Sequence, residues 1–243
     1  EQIRKNSYTS LKINKKKIIF FTPSLVTKLR IDTYFTKEPE TLKWIDNFRK
    51  DYIFWDIGSN IGQYAIYAAT KHKKSNVYAF EPSPSNLVVL SRNISVNHLS
   101  KKISIVPFGL TNKKNKFFFM NESKFEEGSA MHNLDEYKRS KFQYKVFGTS
   151  LKNLIENKTL RIPNYIKIDV DGSELDVLQS FGNYLKNRKI KGLFIELDLS
   201  DKKKYKSCLN ILKSYNFKLI SKNRSELYRL SNLSTYNYIF ERR

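Results

Sequence analysis

Short runs of apolar, β-branched and aromatic residues alternate along the chain with stretches whose apolar positions recur every three or four residues. This alternation is typical of strand–helix–strand crossover units on a parallel sheet. Because the apolar runs are nearly continuous, we expect strands that are covered on both faces. The five predicted parallel strands are Tyr52–Ile57, Val77–Glu81, Ile103–Pro107, Tyr165–Val170 and Leu193–Leu197.

The helices between these strands are predicted from their first residues. Ser83 caps one helix and Pro84 occupies its first position. Asp171 caps a second, and Glu174 three residues later completes a capping box. A third carries Cys208 within its apolar stripe, which predicts a buried structural thiol.

Two further strands are predicted at Phe217–Ser221 and Tyr236–Glu241, joined by a polar loop. Too few residues separate them for a helical crossover, so we expect them to pair antiparallel. The whole pattern predicts an α/β fold. Five parallel strands followed by an antiparallel pair resemble the outline of a Rossmann-like methyltransferase sheet, mostly parallel with an antiparallel strand near the C terminus.

Two regions fall outside this pattern. Residues 1–50 are expected to form an N-terminal extension or cap, with a hairpin around Thr22-Pro23-Ser24 and a helix near Glu40–Arg49. Residues 51–243 are then expected to form the domain with this methyltransferase-like sheet, with a β-rich insertion between its third and fourth strands, roughly residues 111–160. Insertions of this kind commonly select the substrate. The elements predicted in it are the strands Lys116–Met120 and Phe142–Phe147 and the short helix Ser150–Asn157.

Length and composition limit the class of protein. A chain of 243 residues allows one domain or at most two. A single cysteine excludes an intramolecular disulfide and a cysteine-rich zinc module. No run of about 18 apolar residues is present, so no membrane span is predicted. With no visible signal peptide a cytoplasmic location is expected, and the chain opens on Glu1 rather than Met, as a trimmed fragment would.

The charge is strongly positive. Lysine and arginine number 45 against 23 aspartates and glutamates, which gives a formal net charge of +22. Such a field favours anionic partners such as nucleic acid, anionic lipid or acidic sugars. Lys, Asn, Ile and Tyr are abundant throughout, as in the proteins of AT-rich genomes, so charge alone does not identify the partner.

A glycine-containing turn, Asp56-Ile57-Gly58-Ser59-Asn60-Ile61-Gly62, directly follows the first buried strand and opens a helix. Glycine permits a tight turn and a close approach of a ligand to the backbone, and a helix N-terminus offers free N–H groups. The spacing G-x-x-x-G differs from the G-x-G-x-x-G of dinucleotide sites. Asp56 would repel a diphosphate but suits the cationic amino-acid end of S-adenosylmethionine (AdoMet). The alternative is a strand-to-helix turn that binds nothing.

The tips of the next two strands carry residues suited to a nucleoside. Glu81 ends the second strand, where a carboxylate can accept hydrogen bonds from both ribose hydroxyls. Gly109 and Leu110 close the third strand, where they could enclose an adenine; a plain turn is the alternative. The sequence therefore predicts a nucleoside site along this edge of the sheet.

The fourth strand ends in Asp169-Val170-Asp171-Gly172-Ser173-Glu174, and Glu196 ends the fifth. Ligands of open α/β sheets bind beyond these carboxyl ends. Asp169 and Asp171 would point the same way on an extended chain, as a general base and its partner or as oxygen ligands for a divalent cation such as Mg²⁺. Helix capping is the alternative for Asp171 and Glu174. His132 is an alternative base.

Taken together, these stretches resemble the FkbM family of AdoMet-dependent methyltransferases. The resemblance covers roughly Glu40 to Leu199. It implies a class I methyltransferase fold and, most often, O-methylation of a hydroxyl on a sugar, polyketide or other secondary metabolite. The matching stretches are FWDIGSNIG (Phe54–Gly62), VYAFEPSPSN (Val77–Asn86), IVPFGL (Ile105–Leu110), IKIDVDGSELDVLQS (Ile166–Ser180) and LFIEL (Leu193–Leu197).

The resemblance also implies roles for particular residues. Asp169, Asp171 and Glu174 are implied to lie on the reacting side, as the candidate catalytic residues. The family often has Thr-Leu-Asp before the fourth strand where this chain has Ser150-Leu151-Lys152, so that aspartate's role is not carried over. The residues expected to contact AdoMet are Asp56, Gly58, Ser59, Asn60, Gly62, Tyr64, Glu81, Pro82, Ser83, Gly109, Leu110 and Asp169.

The predicted function is AdoMet-dependent O-methylation of a small-molecule or glycan hydroxyl. The positive charge mildly favours an anionic acceptor, and a homodimer is kept open because dimers are common among small-molecule methyltransferases. Ribose 2′-O-methylation of RNA is an alternative, disfavoured because no obvious lysine stands in the fourth-strand motif. A non-catalytic AdoMet-binding protein is a second alternative. An NAD(P)-dependent oxidoreductase is disfavoured by the glycine spacing.

Overall fold

The structure is a computed structural model that describes residues 7–113, 115–130, 132–137, 140–225 and 234–242. The strands are β1 (Tyr8–Ile13), β2 (Lys16–Phe21), β3 (Tyr52–Ile57), β4 (Ser75–Phe80), β5 (Ile103–Val106), β6 (Gly109–Leu110), β7 (Lys116–Glu122), β8 (Asn133–Asp135), β9 (Phe142–Thr149), β10 (Tyr165–Ile168), β11 (Gly192–Asp198), β12 (Phe217–Asn223) and β13 (Thr235–Arg242). The helices are α1 (Leu25–Asp32), α2 (Pro39–Asp46), α3 (Gln63–Lys71), α4 (Pro84–Val96), α5 (Leu151–Glu156), α6 (Glu174–Ser180) and α7 (Lys202–Ser214), and a 3₁₀ helix spans Gly182–Lys186.

A central seven-stranded sheet has the order β12-β13-β11-β10-β3-β4-β5. Strand β13 is antiparallel to both of its neighbours, and every other pair in the sheet is parallel. The predicted α/β fold with a mostly parallel sheet and an antiparallel strand near the C terminus is therefore confirmed. Most of the polar loop predicted before β13 falls outside the described residues.

Both faces of the sheet are covered, as the continuous apolar runs predict. One face, which carries Phe54 and Phe194, packs in a core with α2, α3, α4 and the β1–β2 hairpin. The other, which carries Trp55 and Ile195, packs in a second core with α5, α6 and α7. Cys208 lies buried in this second core as a free thiol, as predicted. Residues before β3 thus share one core with the sheet.

The N-terminal hairpin turns earlier than the sequence indicates. Strands β1 and β2 pair directly through a two-residue turn at Asn14 and Lys15, whose φ angles are 49° and 65°. Positive φ at both positions matches the right-handed twist of the flanking strands. The hairpin predicted around Thr22-Pro23-Ser24 is therefore wrong. Ser24 instead caps α1, accepting a hydrogen bond from the Thr27 N–H.

The predicted capping box at Asp171 is also wrong. Asp171 adopts a left-handed conformation with a φ of 51°, so the chain leaves β10 through a tight turn and α6 begins only after Ser173. The Glu174 carboxylate accepts a hydrogen bond from the Gly172 N–H instead. Ser83 does precede α4 as predicted, yet its hydroxyl donates to Glu122 rather than capping the helix.

Between β5 and β10 the chain forms a separate four-stranded sheet with the order β6-β9-β7-β8. Its strands β7 and β9 contain the stretches predicted as Lys116–Met120 and Phe142–Phe147. Across the described ranges, no helix is long and apolar enough to cross a bilayer.

One buried amide ties the N-terminal hairpin to the glycine turn. The Asn93 side chain, on α4, has no exposure to solvent. Its Oδ1 accepts a hydrogen bond of 2.7 Å from the Phe21 N–H, and its Nδ2 donates one of 2.9 Å to the Ile61 carbonyl. The amide thereby satisfies two backbone groups of otherwise separate elements.

Replacing Asn93 with alanine should lower the free energy of unfolding by about 2–4 kcal/mol, because each buried group that loses its partner costs about 1–3 kcal/mol. Urea denaturation followed by circular dichroism measures the change. Ser91→Ala, at an exposed position of the same helix, should change it by less than about 0.5 kcal/mol. A loss for Asn93→Ala no larger than that of the control would contradict the bridging role.

Candidate functional site

A cleft opens at the carboxyl ends of the central strands. Gly58, Glu81, Asp169 and Glu196 lie just beyond or at the tips of β3, β4, β10 and β11, all on the face covered by α2 and α3. The cleft encloses about 1070 Å³, its open mouth included. This is the edge at which open α/β sheets bind ligands.

The glycine turn brings β3 and β10 into direct backbone contact. Gly58 has a φ of +82°, and a Cβ built on it would lie 1.8 Å from the Asp169 carbonyl oxygen. The N–H groups of Gly58 and Ser59 both donate to the Phe80 carbonyl. Glycine is thus required at position 58 by the packing of three strand tips, before any ligand is considered.

Glu81 is fixed in the wall of the cleft. Its two carboxylate oxygens accept hydrogen bonds of 2.8 Å, from the Asn60 N–H and the Ser83 N–H. Burial raises the pKa of Glu81 to about 7 despite these hydrogen bonds. Because each carboxylate oxygen has further acceptor capacity, Glu81 can still receive hydrogen bonds from a ligand in the cleft.

An apolar region of the cleft adjoins Glu81. It lies where the tips of β4 and β5 meet the four-stranded sheet β6-β9-β7-β8. Its lining side chains are Phe80, Phe108, Leu110, Met120, Leu134 and Val177. A flat, weakly polar ring is the ligand chemistry that such walls accept best.

The opposite end of the cleft is charged and centres on Lys167. This lysine lies inside β10, and only 1% of its surface is exposed. Its Nζ lies 2.6 Å from Asp169 Oδ2 and 4.8 Å from the centre of the Tyr64 ring. Burial favours the neutral lysine, but the carboxylates of Asp169, Asp56 and Glu38 outweigh it and raise the pKa of Lys167.

The same ion pair acts on Asp169. Burial alone would raise the pKa of Asp169, but the Lys167 ammonium and Lys37 outweigh it and hold that pKa at about 2. Asp169 is therefore a carboxylate over the whole physiological range. The patterns in the sequence do not point to Lys167, although a lysine inside the otherwise apolar stretch Tyr-Ile-Lys-Ile is a visible signal. The expectation that the fourth-strand motif lacks a lysine is wrong.

Asp56 lies behind the glycine turn rather than in the wall of the cleft. Its side chain is fully buried beside Lys167, its register partner on β10. Neither carboxylate oxygen has a hydrogen-bond partner in the part of the chain that the structure describes, and burial raises the pKa of Asp56 to about 6. Asp56 therefore does not share the wall of the cleft with Glu81. Contact between Asp56 and a cofactor stays a prediction.

Three acids converge at the charged end. Carboxylate oxygens of Asp169, Asp171 and Glu196 all lie within 4.8 Å of one another. Burial, followed by the charges of Asp169 and Glu38, raises the pKa of Glu196 well above its ordinary value. Carboxylate oxygens suit Mg²⁺, but one of these acids is already neutralised by the Lys167 ammonium. The donor set therefore fits a divalent cation poorly.

Most of the predicted site residues line one cleft. Those that do are Gly58, Ser59, Asn60, Tyr64, Glu81, Pro82, Gly109, Leu110, Asp169 and Asp171. Those placed behind it are Asp56, Gly62, Ser83 and Glu174. Glu174 is turned toward the Gly172 backbone, and burial raises its pKa to about 7. His132 does line the cleft, and neither ring nitrogen has a hydrogen-bond partner among the described residues.

The loop between β7 and β8 forms a roof over the cleft. The Asn60 Nδ2 donates to the Ser129 carbonyl at 2.7 Å, and the Gly128 N–H donates to the Asn86 Oδ1 at 2.9 Å. The Nε of Arg30, from α1, donates to the Gly128 carbonyl at 2.6 Å. The N-terminal segment, the glycine turn and the insertion therefore meet above the same site. Sequence patterns could not predict this meeting, because every contact is long-range.

The family model for the methyltransferase FkbM domain matches residues 56–219, well over half of the chain. The chain belongs to the FkbM methyltransferase family. The matched range contains the glycine turn, Glu81, Lys167 and the three converging acids. Membership confirms the resemblance seen in the sequence.

Two curated relatives have methyltransferase names. One is the hexuronic acid methyltransferase AglP of Haloferax volcanii, 28% identical over 143 residues, or 59% of this chain and 55% of that protein. The other is the methyltransferase sdnD of Sordaria araneosa, 29% identical over 151 residues, or 51% of this chain and 58% of that protein. The chain thus spans little more than half the length of these relatives.

Solved structures agree on the fold. A methyltransferase FkbM from Methylobacillus flagellatus aligns with a TM-score of 0.56 at 17% identity, over 79% of this chain and 44% of that chain. The M. capricolum TrmK complex with S-adenosylhomocysteine aligns with a TM-score of 0.51 at 14% identity, over 83% and 67%. At these identities the likeness supports the Rossmann-like methyltransferase fold.

Gly58→Ala should lower the free energy of unfolding by at least about 3 kcal/mol, because the added Cβ meets a backbone oxygen that cannot rotate away. Gly172→Ala is the matched control, since its φ of +106° is also left-handed but nothing lies within 4 Å of the added Cβ. The control should lower the free energy of unfolding by only about 1–2 kcal/mol, the cost of a left-handed backbone at a residue that has a Cβ. Equal losses in urea denaturation would show that conformation, not contact with Asp169, determines this glycine.

Proposed function

We propose that the protein transfers a methyl group from AdoMet to a hydroxyl of a sugar, a glycan or a related secondary metabolite. The observation that carries the proposal is the order of groups along one cleft. The apolar region of the cleft comes first, then the carboxylate of Glu81, and then the acids beside Lys167. This order matches an adenine, its ribose and a reacting centre that must give up a proton.

The residues present fit the nucleoside end of AdoMet. The walls of the apolar region would enclose the adenine, and Glu81 would accept hydrogen bonds from the ribose hydroxyls. Gly58 lines the cleft, and because it has no Cβ the tips of β3 and β10 can close against each other beneath the ligand. Tyr64 and Lys37 line the charged end beyond that point. The cofactor thus belongs along the row of strand tips, with its reactive end toward Asp169.

AdoMet supplies an electrophilic methyl group on a cationic sulfur, which leaves as a neutral thioether. The protein's part is to hold the acceptor oxygen in line with that methyl group, and such alignment is worth up to about 7–11 kcal/mol of the barrier. A carboxylate that removes the hydroxyl proton contributes a further factor of about 10²–10⁴. The acids Asp169, Asp171 and Glu196 stand where that proton is released.

The acceptor end of the cleft supports an anionic sugar. Lys167 and Lys37 are each paired with a carboxylate, whereas Arg30 has no carboxylate partner in the described ranges. The Nε of Arg30 is held by Gly128, which leaves the terminal nitrogens of a half-buried guanidinium at the cleft wall. Arginine binds carboxylates through such paired donors. The relative AglP is named for a hexuronic acid, a sugar with this group.

Ribose 2′-O-methylation of RNA is the second candidate, favoured by one observation. RNA methylation was disfavoured because no obvious lysine stands in the fourth-strand motif. Lys167 is such a lysine, and its Nζ lies 2.6 Å from Asp169 Oδ2. The net charge of +22 is compatible with RNA. Methyl incorporation into RNA that falls steeply with salt would favour this candidate over a sugar acceptor.

The proposed function predicts that calorimetry detects binding of AdoMet but not of NAD, and that methyl transfer occurs with a hydroxylated sugar. Asp169→Asn should reduce turnover about 10²-fold, because loss of its contact with Lys167 disturbs the alignment of the reacting groups, while the Kd for AdoMet changes less than about threefold. Asp198→Asn, on the exposed end of β11, is the control and should keep normal turnover. Near-normal turnover of Asp169→Asn would remove Asp169 from the mechanism.

Arg30→Gln should raise the KM for a uronic acid acceptor at least about tenfold, which corresponds to the loss of one charge-assisted hydrogen-bonding group. The KM for the matching neutral sugar and the Kd for AdoMet should change much less. Lys28→Gln, an exposed position on the same helix, is the control. An equal rise for both sugars, or a rise in the Kd for AdoMet alone, would place the Arg30 contact on the cofactor.

A further inference from the structure

Asp169 is poorly suited to accept a proton. Its Oδ2 is held at 2.6 Å by Lys167, and its pKa near 2 makes it a weak base at neutral pH. Its neighbour Asp171 lies in the exposed turn that follows β10. Asp169 is therefore ionised at neutral pH, but it binds the proton of a hydroxyl only weakly.

Glu196 differs from both. It is half-buried on β11, lines the cleft, and has a carboxylate oxygen within 4.8 Å of oxygens of Asp169 and Asp171. The register of β10 and β11 carries it to a position beside Asp169, and its partner on β13 is Asn237. The structure gives the Glu196 side chain no hydrogen bond or ion pair within the described ranges. Its lone pairs are therefore open toward the cleft.

We propose that Glu196 is the general base of the methyl transfer and that Lys167 and Asp169 form a positioning pair beside it. The inference rests on the proposed function. As the acceptor oxygen bonds to the methyl carbon and the carbon–sulfur bond breaks, the hydroxyl proton passes to a carboxylate oxygen of Glu196. The sulfur leaves as a neutral thioether, and Glu196 then gives the proton to water.

The charges around Glu196 suit this role. From β10 it is faced by Asp169 and Lys167, and from the segment before α2 by Glu38 and Lys37. Burial, Asp169 and Glu38 raise its pKa, while the two lysines oppose them without cancelling the rise. A base is most effective when its pKa lies near the working pH. Asp171 lies in the turn beside Glu196. On β13, the residue that pairs with Glu196 is Asn237, whose side-chain amide donates a hydrogen bond to Glu40.

The first test compares the pH dependence of kcat. In the wild type, kcat should rise with pH through an apparent pKa well above 4.5, because the base must be ionised. Glu196→Gln should lower kcat at least about 10²-fold and remove that dependence, with the Kd for AdoMet nearly unchanged. Glu196→Asp should recover part of the rate. Asp169→Asn should keep the dependence but shift it to lower pH, since a neighbouring negative charge is removed.

A second readout needs no cofactor. Because the folded-state pKa of Glu196 is raised, its contribution to stability is present at low pH and is lost as the pH rises through that pKa. The stability of Glu196→Gln relative to the wild type should therefore increase with pH in urea denaturation. Asp198→Asn, two residues further along β11, should not show this increase: hydrogen bonds from Ser200 and Ser234 lower the pKa of Asp198, so its relative stability changes with pH in the opposite direction.

The outcomes separate the two proposals. A wild type without turnover on any hydroxylated acceptor overturns the proposed function and this inference with it. An active wild type together with a Glu196→Gln variant that keeps half of its kcat overturns this inference alone. Loss of the pH dependence in Asp169→Asn, but not in Glu196→Gln, would assign the proton to Asp169 instead.

Discussion

A lysine ammonium with almost no access to water lies in the middle of the sheet, and the charged end of the cleft is organised around it. An unpaired charge in such a position would cost several kcal/mol. Lys167 avoids that cost by contact with Asp169 and by the nearby charges of Asp56 and Glu38. Since these acids come from β3, β10 and the segment before α2, one cation holds together elements that are distant in the sequence.

Lys167 also gives the acids around it different affinities for protons. Asp169, which contacts the Lys167 ammonium, has a lowered pKa, whereas burial raises the pKa of Asp56 to about 6 and raises that of Glu196, one strand further away, well above its ordinary value. Similar carboxyl groups thereby acquire different affinities for protons from their contact with one buried charge and from their own burial. The arrangement needs no metal ion to keep neighbouring carboxylates together.

The sequence predicted well where local patterns determine structure. Continuous apolar runs identified every parallel strand of the central sheet, and the resemblance of the stretches around Gly58, Glu81 and Asp169 to a known family named the correct one. The sequence predicted poorly where the conformation of the backbone, or a residue distant in the sequence, decides what a side chain contacts. Asp171 and Glu174 have the spacing of a capping box, yet the left-handed turn at Asp171 directs Glu174 elsewhere. Arg30 and Lys167 gave no periodic signal, because their importance comes from neighbours that only the fold supplies.

The hydrogen bond between the Asn60 amide and the Ser129 carbonyl joins the glycine turn to the loop that covers the cleft. The acceptor in this contact is a backbone carbonyl, which any residue at position 129 would offer. The amide at position 60 can therefore anchor a loop of different sequence, provided that the backbone of that loop follows the same path. The side chains of the loop are thus free to change while its attachment to the turn stays the same.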